Sequence, residues 1–220
     1  MRSLQSFYRR SVLAVVAAAA LAAAGVPIAH AAAHDGARYL VYVPSRSPAV
    51  DHAANVRAFE ERGFTVVTLA YAGEGDGAYA RRVRGEVAAL LEDGVAPEAV
   101  TVVGAGSGSP VVALASSAAA NRRLNYVLLG NCDERLADDP RFHMSGRVLG
   151  LRDAGNRASL SCRRLWRDAP KLGDRRDLVL HTGLGAALFD APRAEWLQPL
   201  SDWSRGGRVD VGDVKVATVR

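Results

Sequence analysis

In this chain of 220 residues, the side chains that could do chemistry centre on Val102-Val103-Gly104-Ala105-Gly106-Ser107-Gly108. The stretch has the form of the strand–turn–helix pattern G-x-S-x-G, which holds a serine on a tight turn so that its hydroxyl can attack an acyl carbon. That chemistry also needs a histidine to take the hydroxyl proton, an acid to orient the histidine, and backbone N–H groups for the oxyanion. Gly104 and Gly108 meet the need for small flanks where the backbone is pinched, but the middle position is Gly106. Ser107 stands one residue along, Asp153 lies further on, and His181 lies further still.

The elements that would position these residues follow from hydropathy and turn signals. Arg38 to Val43 predicts a strand stopped by Pro44, and Asp51 to Arg62 a helix closed by Gly63. Phe64 to Tyr71 reads as a strand covered on both faces, and Ala78 to Asp93 as a helix with Val83, Val87, Leu90 and Leu91 at helical spacing. Ala99 to Val103 is the third strand, Pro110 to Ala120 a small-residue helix, and Leu124 to Leu129 the fourth strand. A polar loop to Ser145, a fifth strand over Arg147 to Leu151, a short helix over Ser161 to Arg167 and a sixth strand over Leu178 to His181 follow. Ala194 to Ser204 closes the series as a helix with Trp196, Leu197, Leu200 and Trp203 on its apolar face. The alternation predicts an α/β fold in one domain over 35–206, a mostly parallel, doubly wound sheet of about six strands flanked by helices. Residues 207–220 read as a tail or short edge strand.

Two further stretches, with the turn at Gly104–Gly108, carry a family resemblance. One is Leu149-Gly150-Leu151-Arg152-Asp153-Ala154; the other is Thr182-Gly183-Leu184-Gly185-Ala186-Ala187-Leu188-Phe189, followed by Pro192, Glu195 and Trp196. From Arg38 to Trp203 the chain resembles the α/β-hydrolase superfamily, in particular its small exported bacterial members. The resemblance implies that Gly106 stands in the nucleophile's place, Asp153 in the acid's, and Ala186 in the histidine's, directly after the second glycine of Gly-Leu-Gly. Relatives carry a His-Gly pair after the first strand where this chain has Pro44-Ser45; the Ser107 backbone N–H remains one oxyanion donor. Two of three functional positions are thus empty, which predicts an impaired or inactive hydrolase fold that keeps a crevice for a small molecule or peptide. Glycine at the elbow also relieves backbone strain that a residue with a side chain would hold there.

Two alternatives stand beside this reading. Shifting the register by one makes Ser107 the nucleophile, with His181 as base and Asp153 as orienting acid, a complete esterase-type triad. Without catalysis, Ser107 is a turn residue that caps the next helix, His181 a strand residue, and Asp153 a turn former. His52 and His143 read as surface residues at a helix start and in a loop. The run Gly104-Ala105-Gly106-Ser107-Gly108 also resembles a dinucleotide fingerprint, with Asp133 as its ribose-binding acid, although Ser109 replaces the third glycine and Pro110 follows.

Residues 1–31 read as an export signal: Arg2, Arg9 and Arg10, then an apolar run from Ser11 to Gly25, then cleavage after Ala31 or Ala33. The run is too short to predict a stable membrane anchor, so the expected location is secreted or periplasmic. The chain carries 28 basic and 23 acidic residues; losing the leader's three arginines leaves 25 against 23, about +2. That near balance, with scattered arginines, argues against nucleic acid as a partner. The sequence calls for no metal or cofactor. Cys132 and Cys162, the two cysteines, predict one disulfide in an oxidising compartment.

Overall fold

The structure, a computed structural model, is described for residues 36–209. The leader over 1–31 with its cleavage sites, His34, and the tail from 210 onward lie outside the described residues. Six strands, β1 (Arg38–Val43), β2 (Phe64–Thr68), β3 (Val100–Ala105), β4 (Asn125–Leu129), β5 (Gly146–Asp153) and β6 (Leu172–Leu180), form one sheet in the order β2-β1-β3-β4-β5-β6. Every neighbouring pair is parallel, so the expected doubly wound α/β sheet is present. The chain leaves β1 toward one edge and β3 toward the other. Their carboxyl ends part there, and in open parallel sheets ligand crevices form at such a switch point.

Four helices cover the two faces: α1 (His52–Glu60), α2 (Asp76–Glu92), α3 (Ser109–Ala119) and α4 (Ala194–Ser204). Side-chain alternation in β1 sends Val41 and Val43 into a core with Val83 and Val87 of α2 and Val111 and Val112 of α3. It sends Leu40 and Tyr42 into the opposite core with Phe59 of α1 and Trp196, Leu200 and Trp203 of α4. Both tryptophans expected on an apolar helix face are therefore core residues.

Several boundaries differ from the sequence reading, each for a tertiary reason. β2 ends at Thr68 and is an edge strand with Thr65 and Thr68 exposed, so it is not covered on both faces. β6 begins at Leu172, earlier than hydropathy suggests, because an edge strand tolerates the charged run Asp174-Arg175-Arg176. It also ends at Leu180, which leaves His181 outside the sheet and exposed. The expected helix near Ser161–Arg167 is a 3₁₀ segment over Cys162–Trp166. Another 3₁₀ segment, Glu134–Asp138, lies within the stretch read as a polar loop.

Cys132 and Cys162 are disulfide-bonded, with Cα atoms 5.1 Å apart, inside the range such bridges occupy. The bridge ties the segment after β4 to the 3₁₀ turn between β5 and β6. Its Cys162 sulfur fills the space over Gly150, where a Cβ would lie 2.5 Å away. Closing a loop with a sequence separation of 30 removes chain entropy from the unfolded state. A Cys132→Ala/Cys162→Ala variant is therefore expected to lose about 3–4 kcal/mol, read as a lower urea midpoint. An unchanged midpoint would deny the bridge this role.

Candidate functional site

Strand register builds the site. Val43 of β1 lies level with Gly104 of β3, Ala105 with Leu129 of β4, Leu129 with Leu151 of β5, and Asp153 with Leu180 of β6. The residues just beyond these ends therefore meet above one edge of the sheet. They enclose a cavity of about 140 Å³ whose wall includes Ser45, Gly106, Gly130, Asn156, Ala186 and Asp190. Gly106 and Ala186, remote in sequence, thus face one crevice.

The elbow has the geometry that its small residues imply. A Cβ at Gly104 would lie 2.6 Å from the Gly108 carbonyl oxygen, and one at Gly108 would collide with the Val43 carbonyl oxygen. Gly106 has φ +50°, a left-handed conformation that costs a residue bearing a side chain about 1–3 kcal/mol. It is closed in as well: a Cβ there would lie 2.8 Å from Ser45 Oγ. Ser45 is placed by His52, whose Nε2 bonds the Ser45 carbonyl oxygen at 2.9 Å and whose Nδ1 bonds the Tyr42 hydroxyl at 3.0 Å. Burial pushes the Tyr42 phenol up to about 12, so it stays a donor. A carbonyl oxygen can only accept, so Nε2–H donates to Ser45. His52 is therefore no free surface residue; it pins the β1–α1 loop against the elbow.

Ser107 does not cap α3. The helix begins after Gly108 with no side-chain cap, and the Ser107 hydroxyl instead accepts from the Arg46 backbone N–H at 2.8 Å. That N–H lies in the loop following the strand beside the elbow strand, where an oxyanion hole of this type takes its second donor. The hydroxyl of Ser107 occupies it. The Arg46 guanidinium turns elsewhere, paired with Asp76 and stacked 4.2 Å over the Tyr71 ring.

Asp153, at the end of β5, is 0 % exposed. One carboxylate oxygen accepts from the N–H groups of Gly155 (2.8 Å) and Gly185 (3.0 Å). The other accepts from the N–H of Thr182 (2.9 Å) and its hydroxyl (2.6 Å). A carboxylate offers about four acceptor positions, and the backbone and Thr182 take them all. Burial raises its pKa, but these four donors outweigh burial and hold the carboxyl below its ordinary value. Asp153 thus clamps the turn that carries Ala186 into the crevice wall.

His181 is exposed, its ring has no hydrogen-bond partner among the described residues, and neither it nor Ser107 lines the crevice. Asp133 is bound by Arg135, through Nε at 2.9 Å and an amino group at 2.8 Å, and by the Arg135 N–H. A cavity of about 140 Å³ beside the glycine run also holds far less than a dinucleotide. His143 is exposed in a loop, as expected. Among the described residues no group of His, Cys, Asp or Glu is arranged to hold a metal ion, and no helix is long and apolar enough to cross a membrane.

Sequence reasoning gave no role to Asn156, Asp190 or Thr182, and read Ser45 only as a departure from the relatives' His-Gly pair. Thr182 carried a usable signal, since it directly precedes Gly183-Leu184-Gly185 at the end of a strand. Asp190 carried none; only the path of the chain after β6 brings it to the crevice.

No family model matches the chain, and no curated protein matches it. Among solved structures, a sugar hydrolase from Lactococcus lactis is 14% identical, with 76% of this chain and 88% of that chain covered and a TM-score of 0.46. An α/β-hydrolase enzyme from a Medee basin deep-sea metagenome library is 10% identical over 77% of this chain and 84% of that chain, TM-score 0.48. RedJ, solved with a polyethylene glycol molecule in its active site, is 14% identical over 90% of this chain and 98% of that chain, TM-score 0.48. One open sheet of six parallel strands with helices on both faces, crossing over between β1 and β3, gives this chain a doubly wound α/β fold.

Proposed function

We propose that this is an exported binding protein of α/β-hydrolase-like fold that does not hydrolyse esters and holds a small molecule in the crevice between the ends of β1 and β3. One observation carries the reading: Gly106 and Ala186 face the same cavity, where acyl transfer would need a hydroxyl and an imidazole. Two more support it. The acid that would orient the imidazole already has four donors, and the Ser107 hydroxyl sits on the Arg46 N–H that would serve an oxyanion. Binding and oxyanion donors alone leave only a small remnant of a triad's power. The cavity's size favours a small molecule over a peptide. The leader-like N-terminus and the Cys132–Cys162 bridge support export.

The alternative with Ser107 as nucleophile requires its hydroxyl to leave Arg46 and to meet His181, an exposed residue outside the crevice. Cell fractionation followed by intact-mass spectrometry tests the export and the lack of hydrolysis. The expected mass begins at Ala32 or His34 and is unchanged by a fluorophosphonate probe. An adduct mapped to Ser107 would overturn the non-catalytic reading, and a chain found only in the cytoplasm with its first residues retained would overturn export.

A further inference from the structure

The composition of the crevice wall points to the chemical class of its occupant. Its inner surface is apolar: Ala105 and Leu129 are 1% exposed and Phe189 is 4% exposed, and Val50 and Ala186 extend it. A volume of about 140 Å³ suits an apolar body near the size of benzene, which an apolar cavity of about 150 Å³ accepts. Asp190 is the one charged residue in the wall. It is half-buried, and its carboxylate has no hydrogen bond or ion pair with any described residue, although its backbone oxygen accepts from Asp51 N–H. The carboxylate's acceptor positions are therefore open to a cationic donor.

The other polar groups in the wall are compatible with a donor-rich ligand. The hydroxyls of Ser45 and Ser47 and the amide of Asn156 line the cavity. Each already accepts one backbone N–H, from Ser47, Ala49 and Ala158 respectively, and each oxygen has a further lone pair. No Lys, Arg or His lines the cavity. The start of α3 adjoins it and contributes about half a positive charge. Against that stand the full charge of Asp190 and that of Asp153, which lies behind the wall through the Gly185 N–H. The balance is negative.

We infer that the crevice binds a small primary amine in its ammonium form, with the apolar body against Leu129 and Phe189 and the ammonium toward Asp190. This rests on the binding reading above and adds the ligand's class. The test titrates the mature protein at neutral pH with benzylamine, benzyl alcohol and benzoate, followed by amide chemical shifts. Benzylamine is expected to move the signals of Gly106, Gly130 and Ala186 and to bind about tenfold more tightly than benzyl alcohol, because its ammonium adds attraction between opposite charges that a neutral hydroxyl lacks. Benzoate is expected to leave them in place. Asp190→Asn should remove most of the preference for benzylamine over benzyl alcohol, and unchanged amide shifts away from the crevice would show that the variant is folded. Equal affinity for amine and alcohol in the wild-type protein, or preference for benzoate, would overturn the amine inference while crevice binding stands. No response at these residues to any of the three would overturn both.

Discussion

Restoring a nucleophile and a base with Gly106→Ser and Ala186→His is expected to give a weak esterase, and adding Ser107→Ala to raise its rate on p-nitrophenyl acetate by a further ~10²–10³-fold. The first two changes put a hydroxyl and an imidazole in the lining of one cavity. The third frees the Arg46 N–H from the Ser107 hydroxyl that now holds it, and one oxyanion donor is worth about 10²–10³ in rate. The Ser107 backbone N–H is untouched by that change. The rate should still fall well short of a full triad, because Thr182 keeps its place on Asp153 and leaves the new imidazole poorly oriented. Stability should drop as well. Serine at φ +50° and 2.8 Å from Ser45 Oγ carries a cost of about 1–3 kcal/mol, visible as a lower melting temperature. Ser45→Gly should recover part of it by opening the space. A triple variant that is folded yet hydrolyses ester no faster than the wild-type protein would show that residues 106 and 186 do not hold the assigned places.

The second large effect concerns Asp153. Asp153→Ala is expected to destabilise the protein by about 1–3 kcal/mol, since it strands three part-buried backbone N–H groups and the Thr182 hydroxyl. Asp153→Asn should also destabilise, because its amide NH₂ would confront N–H donors where the carboxylate presents only acceptors. The pH dependence has a definite sign. The native carboxyl titrates below its ordinary value, so its stabilisation is complete above the unfolded pKa, about 3.9. It is lost as pH falls through the native pKa. Urea midpoints taken at neutral pH and down through about pH 3 should fall in the wild-type protein, and that part of the fall should be missing in Asp153→Ala. Equal midpoints for the two proteins at neutral pH would remove Asp153 as the clamp of the Thr182–Gly185 turn. The expected clamp gives a physical reason for an acid at this position in a crevice that lacks a histidine.

Much of the scaffold was legible because its signals are local. Periodicities near two and near 3.6 placed β1, β3, β4 and α1 to α4 to within a few residues, since they record which side of each element is buried. Gly104 and Gly108 announced a pinched turn because only a missing Cβ permits carbonyl oxygens that close. The two cysteines announced their bond because they had no other partners to choose between. Boundaries failed where burial was set from outside the segment. Whether Phe64–Thr68 is covered, or where the strand ending at Leu180 starts, depends on its place at a sheet edge.

The roles of the site residues belong to that same non-local level. Ser107 reads from its neighbours as a helix cap, yet its hydroxyl meets Arg46, which lies 61 residues away. Asp153 reads as a turn former or an acid for a histidine, yet it binds backbone groups that lie 29 and 32 residues further on. Asp190 has no local signature and reaches the crevice only through the return of the chain after β6. The sequence alone determined the elements and the small residues at 106 and 186, because propensity, pattern and residue identity are properties of short segments. The tertiary structure alone decided which donor meets which acceptor, because parallel register between strands distant in the chain sets those distances.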